Sequence, residues 1–296
     1  MDPLIIVFGL AVGILVGLTG IGGGSLLTPL LILVVGVKPV VAIGTDLFYG
    51  AVTKTVGGWR HLRQGTVDLG VSGWMALGSV PGSLLGVLAL SALQAAYGDA
   101  FESVLLGFVA AALLVVSLAI LGRAVFMRVF AESVAVALTP RLRMSAVAIG
   151  LILGALIGLT SVGSGALIGL ALILVFRLTP HRVVGTDVFH AALLLWTAAL
   201  AHMAAGNVDF ALAGNLLLGS VPGVWLGAAL LPLVPVAGLR PALGCVLLGA
   251  ALGVLSKAGL DLPAAVIVGV PLAAGVVAFA VHRIRRIRGE EVMVAA

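Results

Sequence analysis

Seven long apolar runs determine what this chain can fold into. Each contains about 20 residues with few charges, which is the number that an α-helix needs to cross the roughly 30 Å hydrocarbon core of a bilayer. The runs cover residues 39–59, 66–90, 100–122, 181–203, 208–231, 240–257 and 262–282. Helices satisfy their backbone hydrogen bonds internally, as a lipid environment requires. The pattern therefore predicts an all-α polytopic membrane protein.

The composition excludes a water-soluble globule. Apolar residues make up 62% of the 296 residues and charged residues 9%, against about 45–50% and about 25% in an ordinary soluble domain. The formal net charge of +5 comes from basic residues that cluster between the apolar runs, which is typical of cytoplasmic loops rather than of a nucleic-acid-binding face. The single cysteine, Cys245, excludes an internal disulfide. We therefore expect the lipid bilayer as a partner, with no nucleic acid and no cofactor.

Two further apolar runs, residues 4–37 and 145–176, are each interrupted near the middle by a glycine-rich break. As a helix, each half reaches only about 20–24 Å, which is marginal for a crossing. We therefore interpret each run as a helical hairpin that enters the membrane and returns. Backbone that leaves helical geometry at that depth must be buried in protein or line a wet cavity.

The two halves of the chain repeat one another. At an offset of 141 residues (158 minus 17), residues 17–86 align with residues 158–227 without a gap, and 29 of the 70 positions are identical. Positions 141 residues apart are equivalent in this alignment. The repeat predicts two related units, each a glycine-broken helical hairpin plus three transmembrane helices, followed by an extra C-terminal helix.

The basic residues predict the orientation of the helices, because cytoplasmic loops collect Lys and Arg. Such residues occur at Arg60 and Arg63, in residues 123–144, after the second hairpin, and in residues 283–296. Residues 201–204, which are equivalent to the loop at Arg60, carry no Lys or Arg. Equivalent loops are therefore expected on opposite sides of the membrane. We predict two inverted-topology repeats, an arrangement that many secondary transporters use, with the C-terminus in the cytoplasm.

The predicted organisation has five parts, which follow from the repeat and the basic clusters. They are a first membrane repeat in residues 1–122, a basic cytoplasmic connection in 123–144, a second membrane repeat in 145–258, a final transmembrane helix in 259–282 and a basic cytoplasmic tail in 283–296.

Each glycine-rich break is expected to expose the start of a new half-helix inside the membrane. The unpaired amides and the positive dipole end at such a start attract an anion. Residues of the two breaks therefore form the predicted substrate site: Thr19, Gly20, Gly22, Gly23, Gly24 and Ser25 in the first half, and Thr160, Ser161, Gly163, Ser164 and Gly165 in the second. The alternative is close helix packing through small residues, which needs no ligand.

Two equivalent carboxylates, Asp46 and Asp187, lie well inside predicted helices. An ionisable side chain at that depth is costly and often marks a proton or ion pathway. One interpretation makes the pair proton or sodium coupling sites. The other is structural, with each carboxylate accepting hydrogen bonds from the neighbouring glycine-rich break.

A second equivalent pair of carboxylates, Asp68 and Asp209, is interpreted as structural. Both fall in the first turn of predicted helices, behind Thr66 and Asn207. An acid there favours the helix dipole, and the hydroxyl or amide side chain before it can cap the helix.

Lys54 lies within a predicted span, and its equivalent in the second half is Leu195. One interpretation has the side chain snorkel to the membrane interface. The other makes Lys54 the positive anchor of a bound anion, which gives an asymmetric site. His190, which replaces Tyr49 in the second half, is a further candidate to face the cavity.

Two motifs and their repetition carry a family resemblance. The stretch Gly-Leu-Thr-Gly-Ile-Gly-Gly-Gly and the segment from Val-Gly-Val-Lys-Pro to Gly-Thr-Asp resemble the TauE/SafE sulfite exporter family over nearly the whole chain. The resemblance implies transport of a small sulfur-containing anion across the bacterial inner membrane. It also extends the substrate site to the Gly-Thr-Asp segments, and so to Thr45 and Thr186. Ser161 and Ser164 stand where the first half has glycine, so the two half-sites are expected to contribute unequally.

These features together predict a secondary transporter that works by alternating access and is coupled to protons or another ion. The alternatives are a passive anion channel and an intramembrane enzyme. The chain has no His-Glu-x-x-His pair and no Gly-x-Ser-x-Gly elbow, which are common marks of metalloprotease and hydrolase sites. We therefore predict no enzymatic activity, and the sequence leaves the oligomeric state open.

Overall fold

A computed structural model of the chain describes residues 2–19, 24–126, 138–230 and 236–287. Within these ranges the chain is helical, and no strand is present. The helices are α1 (Pro3–Thr19), α2 (Gly24–Leu30), α3 (Pro39–Arg63), α4 (Leu69–Tyr97), α5 (Phe101–Phe126), α6 (Pro140–Thr160), α7 (Ala166–Leu174), α8 (Pro180–Ala204), α9 (Phe210–Leu230), α10 (Val236–Leu255) and α11 (Ala264–Ile287). Short π-helical turns, Leu31–Val35 and Ser256–Leu260, follow α2 and α10. The all-α prediction is confirmed.

The seven predicted spans coincide with α3, α4, α5, α8, α9, α10 and α11. Six helical stretches of the described residues are long and apolar enough to cross a membrane, and one of these stretches contains both α4 and α5. Helix α3 is not among the six, and it carries Asp46 and Lys54. The chain is therefore a multi-pass membrane protein, and its helix α3 carries two charged residues well inside its length.

The carboxylates of Asp68 and Asp209 start two of the helices. Asp68 is the N-cap of α4 and accepts a hydrogen bond from the backbone amide of Val71 at 3.0 Å. Asp209 accepts the equivalent bond from the amide of Leu212 at 2.9 Å, at the start of α9. The structural interpretation of this pair is confirmed, but the carboxylates themselves are the caps, not the residues two positions earlier.

The chain reverses at the second glycine-rich break. Ser161 and Gly163 have left-handed backbone angles, with φ of 62° and 105°. A surface groove is lined jointly by Ile149 of α6 and by Val175, which directly follows α7. These two residues can share a groove only if α7 returns along α6. The second run thus reverses direction at its break. Its first helix, α6, has 21 residues and is long and apolar enough to cross a membrane, so the prediction of two half-length helices is wrong for α6, and the return to the same side of the membrane stays a prediction.

The second break lies inside the bundle, away from the helix ends. Its position follows from Leu159, which precedes the last residue of α6 and packs against Gly86 of α4. Gly86 is about three turns from the end of α4 at Tyr97. The turn that follows α6 is therefore surrounded by other helices.

Glycines bring the first helix of each hairpin against a helix of the other half. The most extensive helix contacts pair α4 with α6 and α1 with α9. A Cβ at Gly13 would meet the backbone of Ser220, and a Cβ at the equivalent Gly154 would meet the backbone of Ser79. Ser220 and Ser79 are also equivalent positions. Small residues let helix backbones approach closely in a membrane, and here they join the two halves through the same contact made twice.

The two halves also meet at α3 and α8, which are equivalent helices of the repeat. Gly50 faces Leu195, and Gly57 faces Val188, so residue numbers rise along α3 where they fall along α8. The two helices therefore run antiparallel. An antiparallel pair of equivalent helices is compatible with the predicted inverted repeat, which stays a prediction.

The connection predicted for residues 123–144 is partly helical. Helix α6 begins within this segment, so Arg141 and Arg143 lie in its first turn. Arg128 of the connection and residues 288–296 of the tail lie outside the described residues. The assignment of both segments to the cytoplasm stays a prediction.

Candidate functional site

A cavity of about 270 Å³ lies between the two halves, beside the second break. Helices α1, α3, α8 and α9 contribute to its wall. Six residues singled out from the sequence line it: Gly24, Asp46, Lys54, Ser161, Ser164 and Asp187. The fold therefore brings both intramembrane carboxylates and the intramembrane lysine to one space.

The ammonium group of Lys54 lies inside this cavity. The side chain is only 7% exposed, and Nζ donates a hydrogen bond to the carbonyl oxygen of Ser164 at 2.7 Å. Nζ also lies 3.9 Å from Oδ2 of Asp187. The snorkelling interpretation is therefore wrong, because the charge points into the protein and not towards an interface.

Asp46 connects the two hairpins. Its Oδ2 accepts a hydrogen bond from Oγ1 of Thr28 at 2.5 Å and another from Oγ of Ser161 at 2.9 Å. Thr28 belongs to α2, and Ser161 belongs to the second break. Oδ1 of Asp46 is buried and has no hydrogen-bond partner in the described part of the chain. Asp46 thus has the hydrogen bonds of the structural interpretation and, in addition, one buried carboxylate oxygen without a hydrogen-bond partner among the described residues.

Asp187 is held differently, although it occupies the equivalent position. The threonine and serine that donate to Asp46 are replaced at the equivalent positions by Gly169 and Gly20, which have no hydroxyl group. Asp187 instead forms an ion pair with Lys54. Within the described ranges its Oδ1 has no hydrogen-bond partner. The sequence differences between the two halves therefore account for the different hydrogen bonding of the two carboxylates.

Several amides of the second break are engaged within the protein. The amide of Val162 donates to Oγ1 of Thr160 at 3.2 Å, and the amide of Gly163 donates to Oγ of Ser25 at 3.3 Å. The amide of Gly165 donates to the carbonyl oxygen of Gly163 at 2.9 Å. These bonds stabilise the turn, and none of the five residues that form them is in the described cavity wall.

Thr45 and Thr186 connect helices of opposite halves. Oγ1 of Thr45 accepts a hydrogen bond from the amide of Asp209 at 3.0 Å, and Oγ1 of Thr186 accepts one from the amide of Asp68 at 2.8 Å. Each threonine thus fixes the start of a helix in the other half. Among the described residues, neither threonine belongs to the cavity wall.

The first break is described only in part. Three of its predicted site residues lie outside the described residues: Gly20, Gly22 and Gly23. Thr19 is the last residue of α1, and Gly24 is the first residue of α2. A Cβ at Gly24 would lie 2.9 Å from the carbonyl oxygen of Ser161. The two breaks are therefore in contact where they border the cavity.

Sequence reasoning missed Tyr49 and Thr53, which both line the cavity. The predicted candidate was His190, the equivalent of Tyr49, and the described wall does not include it. A spacing of three to four residues separates Asp46, Tyr49 and Thr53, which places them on one face of a helix. Applying this spacing from Asp46 onwards is the signal that could have found them.

The described cavity adjoins the second break, and its lining differs in accessibility from the equivalent positions of the other half. Four lining residues from α1 and α9 are at least partly accessible: Val16, Gly17, Val224 and Ala228. Their equivalents in α6 and α4 are all buried: Ile157, Gly158, Ser83 and Val87. The lining positions of α1 and α9 are therefore more accessible than the equivalent positions of α6 and α4 in the described part of the chain.

The remaining buried histidine of this region is held by the protein itself. Nε2 of His202 lies 3.0 Å from the carbonyl oxygen of Gly158, and Nδ1 lies 3.4 Å from Nδ2 of Asn207. In the portion of the chain that the structure describes, no group of three or more His, Cys, Asp or Glu side chains could hold a metal ion. The polar groups of the cavity are accordingly carboxylates, hydroxyls and an ammonium.

Comparison with known proteins identifies relatives over most of the chain. Residues 5–254 match the family described as Sulfite exporter TauE/SafE. The chain is 39% identical over 243 residues to "Probable membrane transporter protein YjnA" of Bacillus subtilis (strain 168), covering 78% of this chain and 91% of that protein. It is 29% identical over 245 residues to "Probable membrane transporter protein YunE" of the same organism, covering 77% and 86%. A shorter match, 35% identical over 94 residues, joins 32% of this chain to 21% of "Sulfite exporter TauE/SafE family protein 1" of Arabidopsis thaliana. No solved structure gives a significant match.

Proposed function

The chain belongs to the sulfite exporter TauE/SafE family of membrane transporters, and we propose that it moves a small sulfur-containing anion, such as sulfite or a sulfonate, across the cytoplasmic membrane. The observation that carries this proposal is the ammonium group of Lys54 inside the cavity. A charged side chain at membrane depth is costly and marks a substrate or ion pathway. A positive charge beside an enclosed space favours an anionic substrate.

The size and the lining of the cavity fit a small oxyanion. The volume of about 270 Å³ is below the range of about 300–1,000 Å³ that is usual for drug-sized ligands. The oxygens of sulfite or a sulfonate can accept hydrogen bonds from the ammonium of Lys54. The hydroxyl group of Ser164 belongs to a residue of the same wall and is a further donor, whereas the hydroxyl group of Thr53 donates to the carbonyl oxygens of Tyr49 and Gly50.

Alternating access is supported by the packing of the repeats. The predicted orientation starts α4 and α6 inside the cell, and starts α1 and α9 outside it. The members of each pair run parallel, as this orientation requires, because Gly13 and Gly17 of α1 meet Ser220 and Val224 of α9 in the same order. In inverted repeats, an exchange of conformation between the halves moves the accessible side of a central site across the membrane. The cavity around one half-site is what one such state would contain.

The two carboxylates of the cavity are the proposed coupling groups. When ionised, Asp46 and Asp187 place two negative charges against the one positive charge of Lys54. A monovalent anion would then enter a space with net negative charge, and such repulsion is strong in a low-dielectric interior. A proton on either carboxylate removes part of this repulsion. Anion binding and proton binding are therefore expected to favour one another.

Counterflow in liposomes tests the proposed function. Purified protein is reconstituted into vesicles loaded with unlabelled sulfite or methanesulfonate, and the entry of the labelled anion is followed. A transporter is expected to give saturable entry that is accelerated by the loaded anion. Flux that neither saturates nor responds to the loaded anion indicates a passive channel instead. Absence of both binding and flux for sulfite, sulfonates and carboxylates would contradict an anion substrate.

The double variant Asp46→Asn/Asp187→Asn is expected to lose the response of anion uptake to a pH gradient. Uptake with an imposed gradient should fall to the level without one, because neither side chain can carry a proton, while counterflow continues. Asp99→Asn is the matched control, because Asp99 is exposed in the turn before α5. A double variant whose uptake keeps the wild-type pH dependence would remove coupling from these two residues.

A further inference from the structure

We propose that Asp187 is an internal counter-ion that the transported anion displaces from Lys54. This proposal rests on the proposed function and specifies how its site works. The carboxylate and the substrate compete for one ammonium group, and the carboxylate binds a proton when the substrate takes its place. The favoured ligand is a compact monovalent oxyanion, since it must replace a single carboxylate.

The ammonium of Lys54 has bonding capacity for such an anion. It carries three N–H donors, and one of them bonds the carbonyl oxygen of Ser164 at 2.7 Å. Oδ2 of Asp187 lies 3.9 Å away, beyond the distance of about 2.7–3.2 Å for an N–H···O hydrogen bond. The ion pair is therefore held by charge without a direct hydrogen bond. An oxyanion in the adjoining space can approach the remaining donors more closely than Asp187 does.

The carboxylate of Asp187 is also weakly anchored. Oδ1 is buried without a hydrogen-bond partner in the ranges described, and glycine stands at both positions that are equivalent to the hydroxyl donors of Asp46. Asp46 itself is fixed by hydroxyl groups from both hairpins. Of the two carboxylates, Asp187 is thus the one that can exchange its ionic partner without breaking hydroxyl bonds.

Displacement links one proton to one anion. With Asp187 ionised, the charge of Lys54 is already compensated, and a second anion at the same ammonium is repelled. With Asp187 protonated, the charge of Lys54 is available to a substrate. The other titratable groups around this pair are Asp46 and Tyr49 on α3 and His190 on α8, and none of them forms the ion pair with Lys54. Asp187 is therefore the carboxylate assigned to direct competition at Lys54, while the charge of Asp46 acts on Lys54 from beyond ion-pair distance.

Equilibrium binding of methanesulfonate to the purified protein tests this proposal, because this probe keeps one negative charge from mildly acidic to mildly basic pH. Wild-type affinity is expected to fall as the pH rises, since ionised Asp187 then competes for Lys54. The variant Asp187→Asn removes the competitor, so its affinity at mildly basic pH should be about tenfold higher than that of the wild type. Its affinity should also change less with pH than that of the wild type, since Asp46 is the one of the two carboxylates that remains in the cavity wall. Asp99→Asn is expected to behave as the wild type does.

The outcomes separate this proposal from the proposed function. If wild-type protein binds neither sulfite nor methanesulfonate, the proposed function itself fails. If the wild type binds with saturation but Asp187→Asn binds no more tightly, or keeps the full pH dependence, the counter-ion proposal is contradicted and the proposed function stands. Asp187→Ser provides a second way to remove the charge, and thermal unfolding of each purified variant identifies any that is not folded. At least one folded variant of the two must show tighter binding with a weaker pH dependence than the wild type.

Discussion

A Lys54→Met variant is expected to lose anion binding, with an affinity for methanesulfonate reduced by at least about 100-fold. Methionine keeps a long, unbranched side chain but removes the ammonium group that lies in the cavity. Asp46 and Asp187 then border the space without an opposing charge, so the electrostatic preference of the site reverses. Equilibrium binding measures the loss directly, and counterflow in liposomes measures its consequence for transport.

The same substitution is expected to lower thermal stability, because removing one partner of a buried ion pair leaves the other charge uncompensated. Adding Asp187→Asn to Lys54→Met removes that leftover charge, so the double variant should regain stability without regaining anion binding. This separation distinguishes an anion anchor from a residue that only stabilises the fold. Lys38→Met is the matched control, since Lys38 is exposed at the N-cap of α3. Wild-type affinity in folded Lys54→Met protein would contradict the role of Lys54 as anchor.

The helices of this protein could be predicted because the bilayer sets the length of an apolar run. Each predicted span coincides with a helix, and the second glycine-rich break is a reversal of the chain. The helix ends could not be predicted equally well. Arg141 and Arg143 indicated a loop, but Thr139 caps α6 through the amide of Leu142 and Pro140 occupies the first helical position. Proline is favoured at that position, but the arginines beside it favour the interpretation of this segment as a loop.

The charged residues of the cavity could be selected from the sequence, but their partners could not. Asp46, Asp187 and Lys54 are conspicuous because ionisable residues are rare in apolar helices. They meet because α3 and α8 cross antiparallel, and no local pattern specifies that crossing. The position of Lys54 within its helix is compatible with a side chain that points to the membrane interface and with one that points into the protein. The hydrogen bond from Nζ of Lys54 to the carbonyl oxygen of Ser164 shows that the side chain points into the protein.

The sequence differences between the two halves that bear on the site lie at the cavity. Thr45 and Thr186 are identical in sequence and make the same contact with the start of a helix in the other half. Lys54, in contrast, is equivalent to Leu195, and the hydroxyl donors to Asp46 are equivalent to glycines. Repeated positions make equivalent contacts in the two halves, whereas a single asymmetric anion needs residues that are not repeated. Differences between halves are therefore better guides to this site than the motifs that both halves share.

Replacing Gly78 or Gly219 by alanine is expected to prevent stable packing of the helix bundle. A Cβ at Gly78 would overlap the carbonyl oxygen of Val147, and a Cβ at Gly219 would overlap that of Ile6. A backbone atom cannot rotate away as a side chain can, so α4 and α6, or α1 and α9, would have to separate. We expect a destabilisation of about 3 kcal/mol or more, at the upper end of the effects of overpacking. Thermal unfolding of the purified variants in detergent measures it.

Gly73 and Gly214 provide matched controls on the same two helices. They are equivalent positions of α4 and α9, and a Cβ at either would meet no atom within 4 Å. The same change to alanine is expected to leave stability unchanged or to raise it by up to about 1 kcal/mol, because alanine favours a helix more than glycine does. Stability should therefore fall in the Gly78 and Gly219 variants and should not fall in the two control variants. The losses at Gly78 and Gly219 should be similar in size, because their contacts are equivalent. A Gly78→Ala variant as stable as Gly73→Ala would contradict the close packing of each hairpin against the opposite half, on which the position of α3 and α8 around the cavity depends.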